Sequence, residues 1–373
     1  MIRVLHTLHS MNRGGAENAI MNYYRHIDRE KIQFDFLLTA SNPCDFEDEI
    51  TNLGGHIFRI PELTLSRPWH YINAINAFFK RNPEYRIVHA HTSSKSAVPL
   101  AIAKSNHIPI RIAHSHNTRS ESGFRGIVRD VLKLPLKHYA THFLSCGIEA
   151  AKWLYGKDAY ASGKVTLFPN VIEAKRFDFS PNIRTKIRHA LNIQSGTTVI
   201  GCTARFNNQK NIPFAIDVFE KIAQKNPDSI LMLIGDGELR PMIIAKINQL
   251  NLQDKVIMTG VVSNVYEYEQ AMDIYLMPSL FEGLPLSVVE AQISGLRCYV
   301  STGVPNEVDK TGLVSFISLD KSPSYWADEI LHSIHYQRQS HLSDIRSAGY
   351  DAETSAINLQ QFYIDNYNKH AQN

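Results

Sequence analysis

Apolar and polar positions along the first 116 residues form short runs of two alternating kinds. "IRVLHTL" is a strand-length apolar run, and "AENAIMNYYRHI" after it repeats its apolar positions at helical spacing. "FDFLLT" and "HIFRIP" read as strands, "HYINAINAFFKRN" as a helix, "RIVHAH" as a strand, "SSKSAVPLAIAKSN" as a helix and "IRIAHSH" as a strand. This β-α-β order favours a parallel sheet with helices on both faces. The pattern restarts near Val199 with "VIGCTARF", "NIPFAIDVFEKIAQKN", "ILMLIGDG" and "LRPMIIAKINQLN", then "VIMTG", "VYEYEQAM", "DIYLMPS", "SVVEAQISG" and "RCYVST". Two successive units predict an α/β chain of two doubly wound, Rossmann-like domains, residues 1–175 and 176–353. The join falls near "NVIEAKRFDFSPN". "AINLQQFYIDNYNKH" reads as a terminal helix, about 354–373, expected to pack back on the first domain. Doubly wound sheets bind ligands beyond the carboxyl ends of their strands. Two such domains facing each other imply an interdomain cleft, so the informative residues should follow strands.

Composition narrows the class. At 373 residues the chain exceeds one ordinary core, and 44% apolar with 20% charged residues is the balance of a soluble globular protein. No apolar run reaches bilayer length, and the N-terminus lacks a secretory h-region. Cys44, Cys146, Cys202 and Cys298 form no C-x-x-C pair and read as reduced thiols, so a cytoplasmic location is expected. The net charge of +3 hides an asymmetry: residues 1–178 hold 23 basic and 16 acidic side chains. That excess suits an anionic partner, or is ordinary surface scatter.

Three strand-end segments carry candidate chemistry. In "MNRGGAEN", Gly14-Gly15 permits close backbone approach before a helix N-terminus, which suits a phosphate or marks a plain turn. In "RFNNQKNIPF", Arg205 and Lys210 bracket a polar turn, with Asn211 placed to cap the next helix; two cations there make a diphosphate clamp. In "SLFEGLPLSVVEAQ", Pro285 disfavours helical angles at Leu284 and suits a helix start. Glu282 then belongs to a loop and Glu290 to the second helical turn, with free amides near Leu286–Val288 for an anion. Two histidine pairs, His89/His91 and His114/His116, lie at alternate strand positions and so on one face. "FRGIVRDVLKLPLKHYATHF" (124–143) spaces Arg125, Arg129, Lys133 and Lys137 four apart among apolar residues, interrupted by Pro135; it fits an anionic membrane surface or a solvated helix face.

Taken together, these segments resemble glycosyltransferase family 4, the retaining nucleotide-sugar transferases of GT-B fold, over nearly the whole chain. "RIAHSHNT" and "SLFEGLP…EAQ" look like bacterial capsule and exopolysaccharide transferases in particular. The resemblance implies that Arg205 and Lys210 hold the donor diphosphate, that Glu290 binds its ribose and that Glu282 contacts the transferred sugar. It also implies that backbone around Gly283, Leu284, Leu286, Ser287 and Val288 binds phosphate or sugar. Val265 would lie by the base, Gly15 would approach the diphosphate and His116 would lie near the sugar. Glu282, His116, Arg205 and Lys210 are thus the implied catalytic set. Thr302 stands where a similar loop often has Asp, so that loop receives no role. No metal or other cofactor is implied. The implied partners are a nucleotide sugar, UDP-linked, bound by the second domain (176–353), and a glycan or lipid-linked acceptor in surface-polysaccharide synthesis, on the side of the first (1–175), with an anionic membrane surface at 124–143 and no nucleic acid. Two other classes compete: a metal-dependent hydrolase on the two histidine pairs, and a non-catalytic nucleotide-sugar-binding subunit. A glycosidase using Glu282 and Glu290 would leave Arg205 and Lys210 without a purpose.

Overall fold

The computed structural model describes residues 1–64, 66–116, 124–334 and 336–371, without the side chains of 124–129 and 371. It divides into two compact units, Met1–Ile172 with Gly349–Asn373, and Glu173–Ala348.

The first unit holds seven parallel strands: β1 (Ile2–Leu8), β2 (Ile32–Leu38), β3 (Ile57–Arg59), β4 (Ile87–Ala90), β5 (Ile110–Ser115), β6 (His142–Ser145) and β7 (Val165–Leu167). Their order is β3-β2-β1-β4-β5-β6-β7. The order reverses between β1 and β4, which opens a crevice at the strand ends there. Alternation assigns the faces. Val4 and Leu8 of β1 join Ile87, Ile110 and Ile112 on one side, packed against Ile20 and Tyr24 of helix Gly15–His26 and Leu359 and Tyr363 of helix Ala352–Ala371. Leu5, Val88, Ala90 and Ala113 face the other side with Ile75 and Leu100. The terminal helix therefore completes the core of the first unit, and a bridge between Ile172 and Asp351 fixes its entry.

Helix Phe124–Tyr139 runs through Pro135 rather than breaking at it. Proline removes the donor that the carbonyl four residues back would use, and that residue, Val131, is exposed to water. Val131 and Leu134 are exposed, while Lys133 pairs with Asp130 and covers the Trp153 ring at 4.1 Å. The side chains of Arg125, Ile127, Val128 and Arg129, part of the expected membrane-facing segment, lie outside the described residues. Among the described residues no helix is long and apolar enough to cross a membrane.

The second unit holds six parallel strands: β8 (Thr198–Thr203), β9 (Ser229–Ile234), β10 (Val256–Gly260), β11 (Ile274–Met277), β12 (Arg297–Ser301) and β13 (Val314–Ile317). Their order is β10-β9-β8-β11-β12-β13. Ile200, Cys202, Leu231, Leu233 and Leu276 pack on Ile216 and Phe219 and on Trp326, all essentially without exposure. The order reverses between β8 and β11, so the loops that leave these two strands become neighbours although 72 residues separate them.

Candidate functional site

That reversal brings Lys210 to Glu282. Lys210 Nζ lies 2.7 Å from Glu282 Oε1, with both side chains largely buried. Gln209 Nε2 donates to Glu282 Oε2 at 3.2 Å and to the Phe281 carbonyl at 3.0 Å. The Lys210 turn is fixed from below. Phe206 N donates to the Asp236 carbonyl and Leu239 N to that of Phe206, stitching the loop after β8 to the loop after β9. Gly235 and Gly237 make this approach possible: a Cβ on either would sit 2.0 Å from the Ala204 oxygen or 2.4 Å from the Phe206 oxygen. Asn207, not Asn211, supplies the cap: its side-chain oxygen accepts from Lys210 N at 3.1 Å. Asn211 instead takes a left-handed conformation (φ 51°) without a capping bond, because a short 3-10 turn, Asn208–Lys210, intervenes before the helix. Arg205 turns outward; it is mostly exposed and reaches Glu238 at 3.9 Å. The two cations expected to act together therefore point to different partners.

The loop of Glu282 is anchored by the segment after β12, which the sequence left without a role. Glu282 N donates to the Gly303 carbonyl at 3.0 Å, and the Ser301 hydroxyl donates to the Ser279 carbonyl. A Cβ on Gly303 would lie 2.3 Å from the Leu280 oxygen. Gly303→Ala should displace the Glu282 loop: about 1–3 kcal/mol of lost stability in a melt of the second unit, and a turnover loss of at least about 10-fold. Wild-type kinetics in this variant would remove the loop from the site.

The helix after Pro285 runs from Leu286 to Ile293 with Pro285 as its cap, so Glu282 is in the loop and Glu290 in the helix. Val288 N already donates to the Pro285 carbonyl at 3.1 Å. The amides of Gly283, Leu284, Leu286 and Ser287 have no such backbone acceptor among the described residues. Val265 opens a short helix, Val265–Ala271, whose last carbonyls receive three guanidinium groups. Arg184 donates to the carbonyls of Gln270, Ala271 and Met272, Arg188 to that of Ala271, and Arg338 to those of Gln270 and Met272. Cations at a helix C-terminus are favoured by its dipole. This clamp holds Glu269, a residue the sequence reading missed. Glu269 is fully buried and neither carboxylate oxygen has a hydrogen-bond partner among the described residues. Burial, then the neighbouring Glu290 charge, raises its pKa well above the carboxylate range, against the pull of Arg338. Burial pushes Glu290 up to about 7. In sequence, "VYEYEQAM" shows only two glutamates in a polar-looking helix, with nothing to mark one as interior.

In the first unit the strand register gathers five histidines, one more than expected. His6 stands opposite His89 across β1 and β4, and alternation places His91, His114 and His116 on the same face. They form two hydrogen-bonded files. His6 Nδ1 meets His91 Nε2 at 2.9 Å, His91 Nδ1 meets His116 Nε2 at 2.9 Å, and His116 Nδ1 meets Asn170 Oδ1 at 2.9 Å. Tyr363 Oη meets His89 Nδ1 at 2.6 Å, and His89 Nε2 meets His114 Nδ1 at 3.1 Å. With Asn170 Oδ1 accepting, each ring in the first file donates through Nδ1, and His91 and His116 accept through Nε2. Among the described residues His6 Nε2 is buried with no hydrogen-bond partner. Both nitrogens of His116 are engaged within the protein, so a bond to substrate requires it to release one. In each of two triples, His6/His89/His91 and His91/His114/His116, ring nitrogens lie within 4.8 Å of one another. Among the described residues no carboxylate joins either triple, and the rings bond to each other, which fits a polar spine of the sheet better than a hydrolytic metal centre.

A cavity of ≈ 370 Å³ lies within the first unit, beside the ends of β1, β2 and β4. Helix Gly15–His26 begins near it, with Ala16 and Glu17 in its wall. A Cβ on Gly15 would meet nothing within 4 Å.

Comparisons with known proteins place this architecture. Residues 13–176 match the family Glycosyltransferase Family 4, and residues 183–334 match Glycosyl transferases group 1. The Bacillus subtilis protein described as the glycosyltransferase EpsF is 34% identical over 370 residues, 97% of this chain and 96% of its own. The Escherichia coli UDP-Gal:α-D-GlcNAc-diphosphoundecaprenol α-1,3-galactosyltransferase is 26% identical over 301 residues, 77% of this chain and 76% of its own. Anabaena HepE, solved in complex with UDP and glucose, superposes with a TM-score of 0.73 at 16% identity, covering 99% of this chain and 100% of that one. The chain belongs to the family 4 glycosyltransferases. It is a transferase enzyme of GT-B fold.

Proposed function

We propose that the chain is a retaining transferase that moves a sugar from a UDP-linked donor to a glycan or lipid-linked acceptor in surface-polysaccharide assembly. The observation that carries this reading is the Lys210–Glu282 pair, held at the strand-order reversal of the second unit beside the uncommitted amides of Leu286 and Ser287. The relatives' names and the UDP bound by HepE support the donor class. In this reading Lys210, with Arg205 swung inward and the helix N-terminus at Leu286, faces the donor diphosphate and stabilises the charge that develops on it. Glu282, fixed by Lys210 and Gln209, accepts hydrogen bonds from the transferred sugar. Glu290 accepts from the ribose hydroxyls and Val265 lies by the base. Gly283 and Leu284 contribute backbone, whereas Val288 contributes only its place in the helix. Gly15 leaves room for a phosphate at its helix start. His116 takes part by exchanging its Asn170 bond for a sugar hydroxyl. The acceptor hydroxyl attacks from the leaving-group side and the departing phosphate takes its proton, so no protein nucleophile and no metal enter.

The test is a thermal-shift screen of purified protein with UDP-, GDP- and dTDP-sugars, followed by UDP release with donor and acceptor together. A ligand that prefers the native state raises its melting temperature. Selective stabilisation by UDP-sugars is expected; indifference to all three nucleotides would sink the donor reading. Activity that depends on stoichiometric zinc would favour the histidine hydrolase instead.

A further inference from the structure

His6 is the histidine of the spine that lies farthest along its file from His116, with one ring between them. It is buried, and it is not among the residues that line the ≈ 370 Å³ cavity, which His91 does line. What it controls is the direction of the file. A neutral imidazole carries one N–H, so the bond made by one of its nitrogens decides what the other can do. His6 Nδ1 donates to His91 Nε2, which leaves His91 Nδ1 to donate to His116 Nε2, and His116 Nδ1 to donate to Asn170.

The same three rings have one other self-consistent arrangement. Asn170 would turn its amide nitrogen towards His116 Nδ1, and every donor along the file would become an acceptor. His6 would then carry its proton on Nε2, which is buried with no hydrogen-bond partner among the described residues. An orphaned buried N–H is rarer and costlier than an unshared lone pair, so the His6 end selects the observed direction. The second file holds the ring planes: His89 lies over His91 and His114 over His116, each with centroids 4.1 Å apart. On the sugar-transfer reading above, on which this inference rests, His116 exchanges Asn170 for a hydroxyl of the transferred sugar. We propose that His6, acting through His91, is a positioning residue that fixes His116 as the Nδ1–H tautomer, so that His116 meets the sugar as a hydrogen-bond donor and not as a base. With Nε2 filled by His91 and Nδ1 protonated, His116 has no lone pair free to take a proton.

The experiment uses the full chain with isotope-labelled histidine and reads the protonation of each ring nitrogen by NMR, without ligand; His116 is assigned by the signals lost in His116→Gln. Wild type should show a protonated Nδ1 and a bare Nε2 at His116. His6→Leu should mix or reverse that tautomer although it alters no group in contact with His116. It should also lower kcat/KM for the UDP-sugar about 10-fold or more, with UDP binding as in wild type. His6→Asn, whose side-chain NH2 can take the place of the Nδ1 donor, should restore most of both. His116 protonated at Nε2 in wild type overturns the proposal, and that reading needs no variant to fold. A folded His6→Leu protein with the wild-type tautomer, or with a changed tautomer and unchanged kinetics, overturns it as well. Because the tautomer is read with no donor present, a lock that His6→Leu releases in a protein that transfers no sugar would sink the transfer reading and leave the lock standing.

Discussion

At pH 5.5 the first unit is expected to lose most of the stability it has at pH 7.5, while the second unit holds. The cause is the histidine spine. An exposed or unfolded histidine titrates near pH 6.5. In the fold, burial lowers His6 to about 3 and His116 to about 4. Burial, joined by repulsion from neighbouring imidazoles, holds His89, His91 and His114 well below their ordinary value. The groups facing them are Tyr363, Asn170 and Tyr23, none of which carries a charge to offset protonation. Because the folded pKa values are depressed, the unfolded state binds more protons below 6.5. The stability is therefore complete above that pH and is lost as pH falls below it. At pH 5.5 each ring that stays neutral in the fold costs about 1.4 kcal/mol, and five cost about 7 kcal/mol. A typical domain is stable by only about 5–15 kcal/mol. Glu17, raised by burial, works the other way but is one group against five.

The second unit has the opposite sign. Glu290, raised to about 7, and Glu269, raised well above the carboxylate range, bind protons in the fold that the unfolded chain releases down to about 4.5, so that unit gains stability as pH falls from 7 towards 4.5. Peptide-resolved hydrogen exchange at the two pH values, corrected for intrinsic rates, separates the units. Equal protection of residues 1–172 at both would refute the argument.

The second large effect is catalytic. Lys210→Ala should lower turnover about 10²–10³-fold, the range seen when one preorganised charge facing a transition state is removed. The variant also leaves Glu282 without its cation, so part of the loss is misplacement of that carboxylate. Glu282→Gln should cost a similar factor, and the double variant little more than either, because the two act as one unit. Arg205→Ala should cost less, since its side chain is mostly exposed and joins the site only after reorienting. Steady-state kinetics on the four proteins decides. Lys210→Ala with wild-type turnover removes the clamp from the mechanism, and strict additivity removes the pairing.

The sequence carried the architecture because its signals were local. Apolar runs of strand length alternating with amphipathic helices define a parallel sheet whatever the strand order, and Pro285 separates Glu282 from Glu290 by backbone sterics alone. Three things escaped because they depend on tertiary neighbours. His6 joins the spine only through the pairing of β1 with β4. Glu269 becomes an interior acid only because three arginines fix the end of its helix. Gly303 matters only because its backbone passes the Leu280 carbonyl at contact distance. The turn at Asn207–Asn211 misled for a local reason: two asparagines four apart both fit a cap, and the intervening 3-10 turn selects the first.

The helix Ala352–Ala371 belongs to the first unit but is made after the second. Ala352, Ala356, Leu359 and Tyr363 fill the core beneath β1 and β4, and the Tyr363 hydroxyl ends one file of histidines. The order of synthesis is thus the reverse of the order of completion. Residues 173–348 are contiguous and can close on themselves while the chain is still growing, whereas residues 1–172 emerge before them and wait with one face of their sheet uncovered. For that interval the nascent chain carries an exposed apolar face, with neutral histidines at its centre, that only a segment translated after the second unit can cover.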